Sequence, residues 1–385
     1  MTVDPAFPPV SGADLRNWQN ALAASRLGPV RLASLIGPAQ RAAPEGVEIA
    51  ALSDLDPSAP IWGPDLTIHF PPETAALFRK MIDSFAPDAI VFESVAVAPL
   101  IDHAGKSALR ILDFHNIEAD LIWQERWQLR WYQVAARRRL WQRVNRLAQV
   151  ERQALAKVER AWVCSTRERE RLCSLISAAV DVRVVANGIP RSEDSPNELS
   201  ERSTEARPTL VFVGHLSYGP NIEAARALID LMPRLQKHFP RARLLMAGRN
   251  PDPQLLAHGR NDGIEIIANP SHPKLYLRQA DLAVLPLYRG GGTRIKAIEA
   301  MAWGVPVVAT SLAVDGLNLE NGRHVRIAET DAEMIAQIVR LMSDPQLYTA
   351  QREAAFQYVH DNFGQTTIEA QVKAALTAAA SSDTL

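Results

Sequence analysis

LPLYRGGGTRIKAIEAMAWGVPVVAT, from Leu285 to Thr310, holds a strand end, a glycine turn, a helix and a second strand in one short span. The first strand ends at Pro286. Gly290, Gly291 and Gly292 follow, and Thr293 is a good N-cap for a helix with Ile295, Ile298 and Ala302 on one face. A glycine-rich turn feeding a helix N-terminus leaves backbone N–H groups exposed. It sets the positive end of the helix dipole beside them and keeps side chains out of a phosphate's way. Arg294 and Lys296 add two full charges for a diphosphate. Glu299 lies about one turn past Lys296, so the two are surface neighbours, away from the apolar stripe. A carboxylate beside a phosphate site is repelled by it unless it accepts hydrogen bonds from sugar hydroxyls, which makes ribose its natural partner. The plainer alternative is that Arg294, Lys296 and Glu299 form a solvated helix face, because glycine turns before helices are common.

The same rhythm runs through the chain. The first half offers apolar runs starting at Val30, Ala89, Leu109, Ala161 and Val182. The second half offers runs starting at Thr209, Arg243, Ile264, Leu282, Val305 and His324. These runs are continuously apolar, which suits parallel strands covered by helices on both faces. Alternating strand and helix signals predict an α/β, doubly wound fold. The strand expected before Pro8 is unusually weak. Between the halves, RSEDSPNELSERSTEARP, from Arg191 to Pro208, has Leu199 as its one large apolar residue and reads as an interdomain linker.

A length of 385 residues suits two or three domains with real cores. The formal net charge of −1 argues against a nucleic-acid binder. Two cysteines, Cys164 and Cys173, make a disulfide framework an unlikely basis for the fold and point to a reducing compartment. The apolar stretch from Ala89 to Ile101 is too short to span a bilayer and carries Glu93. MTVDPAFPPV lacks the regions of a secretory signal. The expected location is the cytoplasm, with the inner membrane surface as a candidate docking place.

Ligands in open α/β sheets sit beyond the carboxyl ends of the strands, and three further segments end strands with polar groups. FVGHLSYGPN, from Phe212, passes Gly214 and His215 before a helix expected near Asn221. IIANPSHPKLY, from Ile266, places Asn269 in a proline-bracketed loop whose free backbone groups suit a base. LDFHN sets Asp113, His115 and Asn116 together after a strand. Taken alone, His215 is as readily a loop histidine without a ligand, and His115 a satisfied structural histidine.

One stretch stands apart in charge. Between Trp123 and Arg160 lie ten Arg or Lys and three Glu, and four of the eight tryptophans fall between Trp123 and Trp141. The spacing predicts Trp123, Trp127 and Trp131 on one helix face, followed by Arg137, Arg138, Arg139, Arg143 and Arg146. Tryptophan beside a basic cluster suits the headgroups of an anionic membrane. Packing of the tryptophans into the core or onto another subunit is the equal alternative.

Together these pieces resemble glycosyltransferase family four, in particular a sub-branch with a Gly-Gly-Thr-Arg-x-Lys loop. FVGHLSYGPN, RLLMAGRNP, LYLRQADLAVLPLYRGGGTRIKAIEAMAWGVPVVAT and VDGL carry the likeness in the second half. PPVSGADLRNWQNAL, LDFHNIEADL, VCSTRERERL and VVANGIP carry it in the first. The order and spacing of all of them make it specific. The resemblance implies a GT-B fold, two Rossmann-like doubly wound domains facing across a cleft. It implies transfer of a sugar from a nucleotide-diphosphate donor to a glycan or lipid-linked acceptor, with retention and with neither metal nor cofactor, in cell-surface polysaccharide or glycoconjugate synthesis.

Residue by residue, Glu299 matches the second glutamate of the family's pair, which binds ribose. His115 matches the first-domain histidine near the reacting sugar. Gly12 matches the glycine loop that approaches the diphosphate. The expected donor residues are thus Gly12, Gly214, His215, Asn269, Gly291, Gly292, Thr293 and Glu299, with His115, Arg294 and Lys296 assigned to the chemistry. Gly291 stands where the first glutamate of the pair belongs, His215 where the usual arginine belongs, and SYGPN lacks the lysine. Positive charge has moved to Arg294 and Lys296. A same-fold sugar-nucleotide epimerase and a non-catalytic partner protein remain alternatives; a phosphorylase fits less well, and the oligomeric state stays open. The expected division is 1–188, an acceptor-binding domain; 189–208, the linker; 209–357, the donor-binding domain; and 358–385, a C-terminal helix crossing back to the first domain.

Overall fold

The computed structural model describes residues 1–7, 12–35, 46–52, 70–175, 180–189, 199, 208–259, 263–290 and 294–377. In chain order, the first elements are α1 (Gly12–Ala24), β1 (Val30–Ser34), β2 (Val47–Ala51), α2 (Pro72–Phe85), β3 (Ala89–Glu93), β4 (Leu109–Phe114), α3 (Glu118–Trp123), α4 (Val134–Leu155), β5 (Arg160–Val163), α5 (Thr166–Leu175) and β6 (Asp181–Val184). They are followed by β7 (Thr209–Val213), α6 (Gly219–Leu235), β8 (Arg243–Gly248), α7 (Pro253–His258), β9 (Ile264–Ala268), β10 (Leu282–Leu285), α8 (Ile295–Ala302), β11 (Val307–Ala309), β12 (Arg326–Ile327), α9 (Asp331–Ser343), α10 (Pro345–Phe363) and α11 (Gln365–Thr377).

The expected runs become parallel strands. Three sheets form, ordered β1-β2, β3-β4-β5-β6 and β12-β11-β10-β7-β8-β9. Every pairing within them is parallel. β10 and β11 are buried along their whole length, which is why they read as unbroken apolar runs. The short, mixed run Val47–Ala51 is a strand that the apolar pattern did not single out, because its outer positions are half-exposed.

The chain divides into two compact units. One holds Met1–Asn187 and the stretch from Gln365 onward; the other holds Gly188–Gly290 and Arg294–Gly364. The first unit's core gathers Phe78, Phe92, Leu112, Val163 and Leu172 around its four-stranded sheet. α11 belongs to this unit and buries Ile368, Val372 and Ala375. Ala186 donates a backbone hydrogen bond to Gln371 Oε1 at 2.9 Å, and Arg160 donates to the carbonyls of Ala375 and Leu376. In the second unit, local sequence sets the helix starts. Thr330 and Glu333 form a capping box on α9, and Asp344 caps α10 ahead of Pro345.

Two local expectations change. α3 ends at Trp123, a 3-10 turn covers Gln124–Gln128, and the next helix starts only at Val134, so Trp123, Trp127 and Trp131 do not share one helix face. Apolar residues of α3 and α4 form a small cluster of their own, Ile122, Leu140 and Leu147 among its members. α8 takes Arg294 as its N-cap residue. Gly291, Gly292 and Thr293 lie outside the described residues, as does most of the expected linker. No helix among the described residues is long and apolar enough to cross a membrane. Cys164 and Cys173 are both free, the first buried and the second exposed.

Candidate donor site and a carboxylate–histidine cluster

In the second unit, the carboxyl end of β7 is built around glycine. A Cβ on Gly248 would lie 1.7 Å from the Gly214 carbonyl oxygen, so β8 can approach this turn only without a side chain. A Cβ on Gly214 would meet Lys296 Cε at 2.8 Å and Asn221 Nδ2 at 3.2 Å. Lys296 therefore reaches from the first turn of α8 across the bare backbone of Gly214. Asn221 is buried and donates from Nδ2 to the His215 carbonyl at 2.8 Å, fixing the loop that enters α6.

Lys296 is not on a freely solvated helix face. Burial lowers its ammonium pKa; the Glu299 charge opposes this, and Arg294 adds to it. A cation partly stripped of water and held beside a glycine turn is suited to meet an anion. Arg294 donates to the Gly290 carbonyl at 3.1 Å, where the glycine's φ of +127° excludes a side chain. Glu299 is half-buried, about one turn into α8. His215 is exposed, with Nε2 3.0 Å from the Ser217 hydroxyl. Asn269 sits at the end of β9 in the left-handed region (φ 50°). Its side-chain carbonyl accepts from the Asn250 N–H at 2.8 Å, and its own N–H donates to Gly248 O at 2.8 Å. Gly214, Asn221 and Lys296 are thus brought into contact, and Asn269 is tied to the adjoining β8 terminus.

In the first unit, β3 and β4 end side by side with Glu93 paired to Asp113. Glu93 Oε2 lies 3.3 Å from His115 Nε2, and Asp113 Oδ2 lies 3.9 Å from it. Arg16, one turn into α1 from the exposed Gly12, bonds both Asp113 oxygens, at 2.7 and 2.6 Å. It also donates to Val185 O and Asn187 Oδ1, at 2.7 and 2.8 Å. This anchors the start of α1 to the sheet's carboxyl edge. Burial alone would raise the Glu93 carboxyl. The hydrogen bonds with His115 and Asp113 outweigh it and hold the group at about 2. Burial raises Asp113, Arg16 opposes the rise, and the Glu93 charge adds to it. Ser94, directly after Glu93, has φ 105°, a strained conformation for a residue with a side chain.

Glu93, Asp113 and His115 have a metal-like donor set, with ligand atoms within 4.8 Å of one another. The surroundings do not suit a cation: Arg16 already occupies both oxygens of Asp113 with its own positive charge. The arrangement is better described as an imidazole held by an anionic carboxylate. Sequence reading found His115 but missed Glu93 and Arg16 as its supports. The available signal was a second acidic residue closing an apolar run, FES after AIV, as DFHN closes the next.

Residues 207–344 match the family model described as glycosyl transferases group 1. No curated protein matches the sequence. Among solved structures, Staphylococcus aureus TarM in complex with fondaparinux, alpha-GlcNAc-glycerol and UDP is similar at 12% identity and a TM-score of 0.60. The match covers 79% of this chain and 59% of TarM, so the chain spans less than two thirds of that protein. WaaG, a glycosyltransferase involved in lipopolysaccharide biosynthesis, is 13% identical over 98% of both chains, with a TM-score of 0.64. Anabaena HepE, in complex with UDP and glucose, is 14% identical over 98% of this chain and 99% of its own, with a TM-score of 0.66. The fold is GT-B. With a group 1 domain in the second unit, the comparisons support a glycosyltransferase.

Proposed function

We propose that this protein moves a sugar from a nucleotide-diphosphate donor to a glycan or lipid-linked acceptor, with retention of configuration and without a metal, in cell-surface glycoconjugate synthesis. The observation that carries the reading is Lys296 lying across Gly214, a half-buried lysine at a glycine turn at the strand ends of the group 1 domain. Lys296 and Arg294 take the leaving diphosphate, Glu299 the ribose hydroxyls, and Asn269 with its loop the base. Gly214 and His215 frame the phosphate approach, as Gly12, Gly291, Gly292 and Thr293 do in this reading. His115 is the first-unit residue assigned to the transferred sugar. HepE binds UDP and glucose, and TarM binds UDP, which makes a UDP-sugar the first donor to try. A thermal-shift screen of UDP-, GDP- and ADP-sugars tests the proposal, since a ligand that binds the folded state raises Tm by mass action. One donor should raise it with EDTA present. A donor shift that appears only when divalent metal is restored would remove the metal-free assignment; no shift with any donor would remove the donor site.

The acceptor side of the proposal includes an anionic membrane surface, met from the cytoplasm by the segment from Trp123 to Arg160. Support comes from Trp131 and Trp141, which are 84% and 59% exposed, beside the exposed Arg137, Arg138, Arg139, Arg143 and Arg146. Each such residue adds about 1 kcal/mol near an anionic surface. Co-sedimentation should require anionic liposomes, weaken with salt, and fall when Arg137, Arg138 and Arg139 are replaced by Gln. Indifference of the wild-type protein to anionic liposomes at low salt would make the segment purely structural.

A further inference from the structure

Arg289 and Glu223 form an ion pair that joins the two helix starts of the candidate donor site. Arg289, the residue before Gly290, donates from Nε to Glu223 Oε2 at 2.5 Å and from Nη2 to Glu223 Oε1. Two nitrogens of the guanidinium fork thus meet both oxygens of the carboxylate, a geometry that fixes orientation as well as distance. Glu223 belongs to α6. The fork lies over the first residue of that helix: a Cβ on Gly219 would stand 3.3 Å from Arg289 Nη2. A cation is disfavoured at a helix start, where the dipole is positive and N–H groups point outward. The Glu223 carboxylate supplies the attraction that overcomes this.

From Arg289 the contacts run on to α8. Gly290 lies against α6, since a Cβ on it would be 3.9 Å from Pro220 Cβ. The Gly290 carbonyl accepts from Arg294 Nη2 at 3.1 Å, and Arg294 is the N-cap residue of α8. Arg294 O in turn accepts from Ala297 N–H at 3.0 Å, closing the first turn of the helix. Lys296 stands in that turn, and its side chain lies across Gly214, beside Asn221 of α6. Two routes therefore connect the starts of α6 and α8. One is Lys296 itself; the other runs Glu223, Arg289, Gly290, Arg294. The Arg294 charge works against that of Lys296, so the turn gains from a tie outside it.

We propose that Glu223 is a positioning residue for the donor site: by holding Arg289, it fixes Gly290 and the first turn of α8 at the separation from α6 that lays Lys296 over Gly214. The inference rests on the donor reading of Lys296 and adds to it two residues that touch no ligand. An ion pair as exposed as this one contributes little to stability, so what it supplies is geometry. Arg289, matched by Glu223, orients the turn; Arg294 and Lys296 meet the diphosphate.

The test uses the full chain, with UDP, GDP and ADP as probes and Glu223→Gln and Arg289→Gln made singly and together. Affinity for the tightest of the three, melting, and amide exchange at Ala297 and Ile298 are measured. Glu223→Gln keeps the side chain's shape and should weaken the nucleotide by about tenfold, with Tm close to that of the parent. Without nucleotide, Ala297 and Ile298 should exchange faster in this variant, because the turn has lost its tie. The double variant should bind no more weakly than Arg289→Gln alone, as two residues acting through one contact require. Tighter binding in Glu223→Gln would overturn the proposal, making Arg289 a phosphate ligand that Glu223 restrains. So would additive losses in the double variant, or unchanged affinity or exchange in Glu223→Gln. A sharp fall in its Tm would do so as well, by making the pair a fold contact. If the parent binds none of the three nucleotides, the donor reading fails by itself. Exchange at Ala297 and Ile298 in Glu223→Gln then still decides whether α8 is held this way.

Discussion

Lys296 carries the sharpest consequence at the scale of single residues. Burial lowers its ammonium pKa from the ordinary 10.5, against the pull of Glu299. In the proposed role Lys296 acts in its charged form, so the alkaline loss of kcat/KM should set in at lower pH than an ordinary lysine gives. Lys296→Arg keeps its charge at any working pH and should push that limb upward. Lys296→Gln should cost about 2–4 kcal/mol of transition-state stabilisation, by the scale of a lost oxyanion donor. An alkaline limb that stays in place in Lys296→Arg would clear Lys296 of the role. Glu299→Ala should weaken the donor dissociation constant without unfolding the half-buried start of α8. His115 calls for a different readout. His115→Ala should lower turnover far more than nucleotide affinity. Glu93→Gln, which keeps the shape but removes the charge beside His115 Nε2, should lower kcat and move the pH profile while nucleotide affinity holds. Wild-type kcat and pH profile in Glu93→Gln would leave that carboxylate as packing only.

At the scale of elements, the α3–α4 region shows how a buried acid can cap one helix from another. Glu151 of α4 is buried, and its Oε1 accepts from the N–H groups of Glu118 and Ala119 at 2.6 and 3.4 Å, at the start of α3. Burial raises its carboxyl to about 7, against those two bonds, from 4.5. The folded state therefore holds the proton more tightly than the unfolded chain. The contribution of protonated Glu151 is complete below about 4.5 and is lost as pH rises through about 7. Glu151→Gln, neutral and still able to accept both bonds, should raise stability at pH 8 by at most about 3 kcal/mol and change little at pH 4. Urea unfolding at both pH values checks this; a Gln variant less stable at pH 8 would show that the helix N-terminus needs the charge.

At the scale of the whole chain, contacts gather α11 with the first unit and α10 with the second, which ends at Gly364. Arg160, Gln371 and the buried Ile368 and Val372 join α11 to the sheet's own strands. A chain ending at Gly364 should lose a melting transition or have it sharply lowered, with Trp162 fluorescence following that transition as a reporter from the first unit's β5. Calorimetry that superimposes on the full chain would mean α11 contributes nothing to the first unit's stability.

Local chemistry made much of this readable. Eleven apolar runs announced strands because parallel strands bury both faces, so no long-range knowledge is needed to see them. The anion site proposed at Arg294 and Lys296 could be suggested from sequence because the glycines and the charges are adjacent residues. Tertiary structure alone decided the rest. Arg16 meets Asp113 across 97 positions, and Glu93 meets His115 across 22, so neither pair has a spacing that periodicity can reveal. Lys296 reads as a surface residue on its helix, and its half-burial against Gly214 of another strand is a tertiary contact. The turn after Trp123 interrupts a four-residue tryptophan spacing that looked helical, while Ile122 of α3 packs with Leu140 and Leu147 of α4, contacts the spacing does not show.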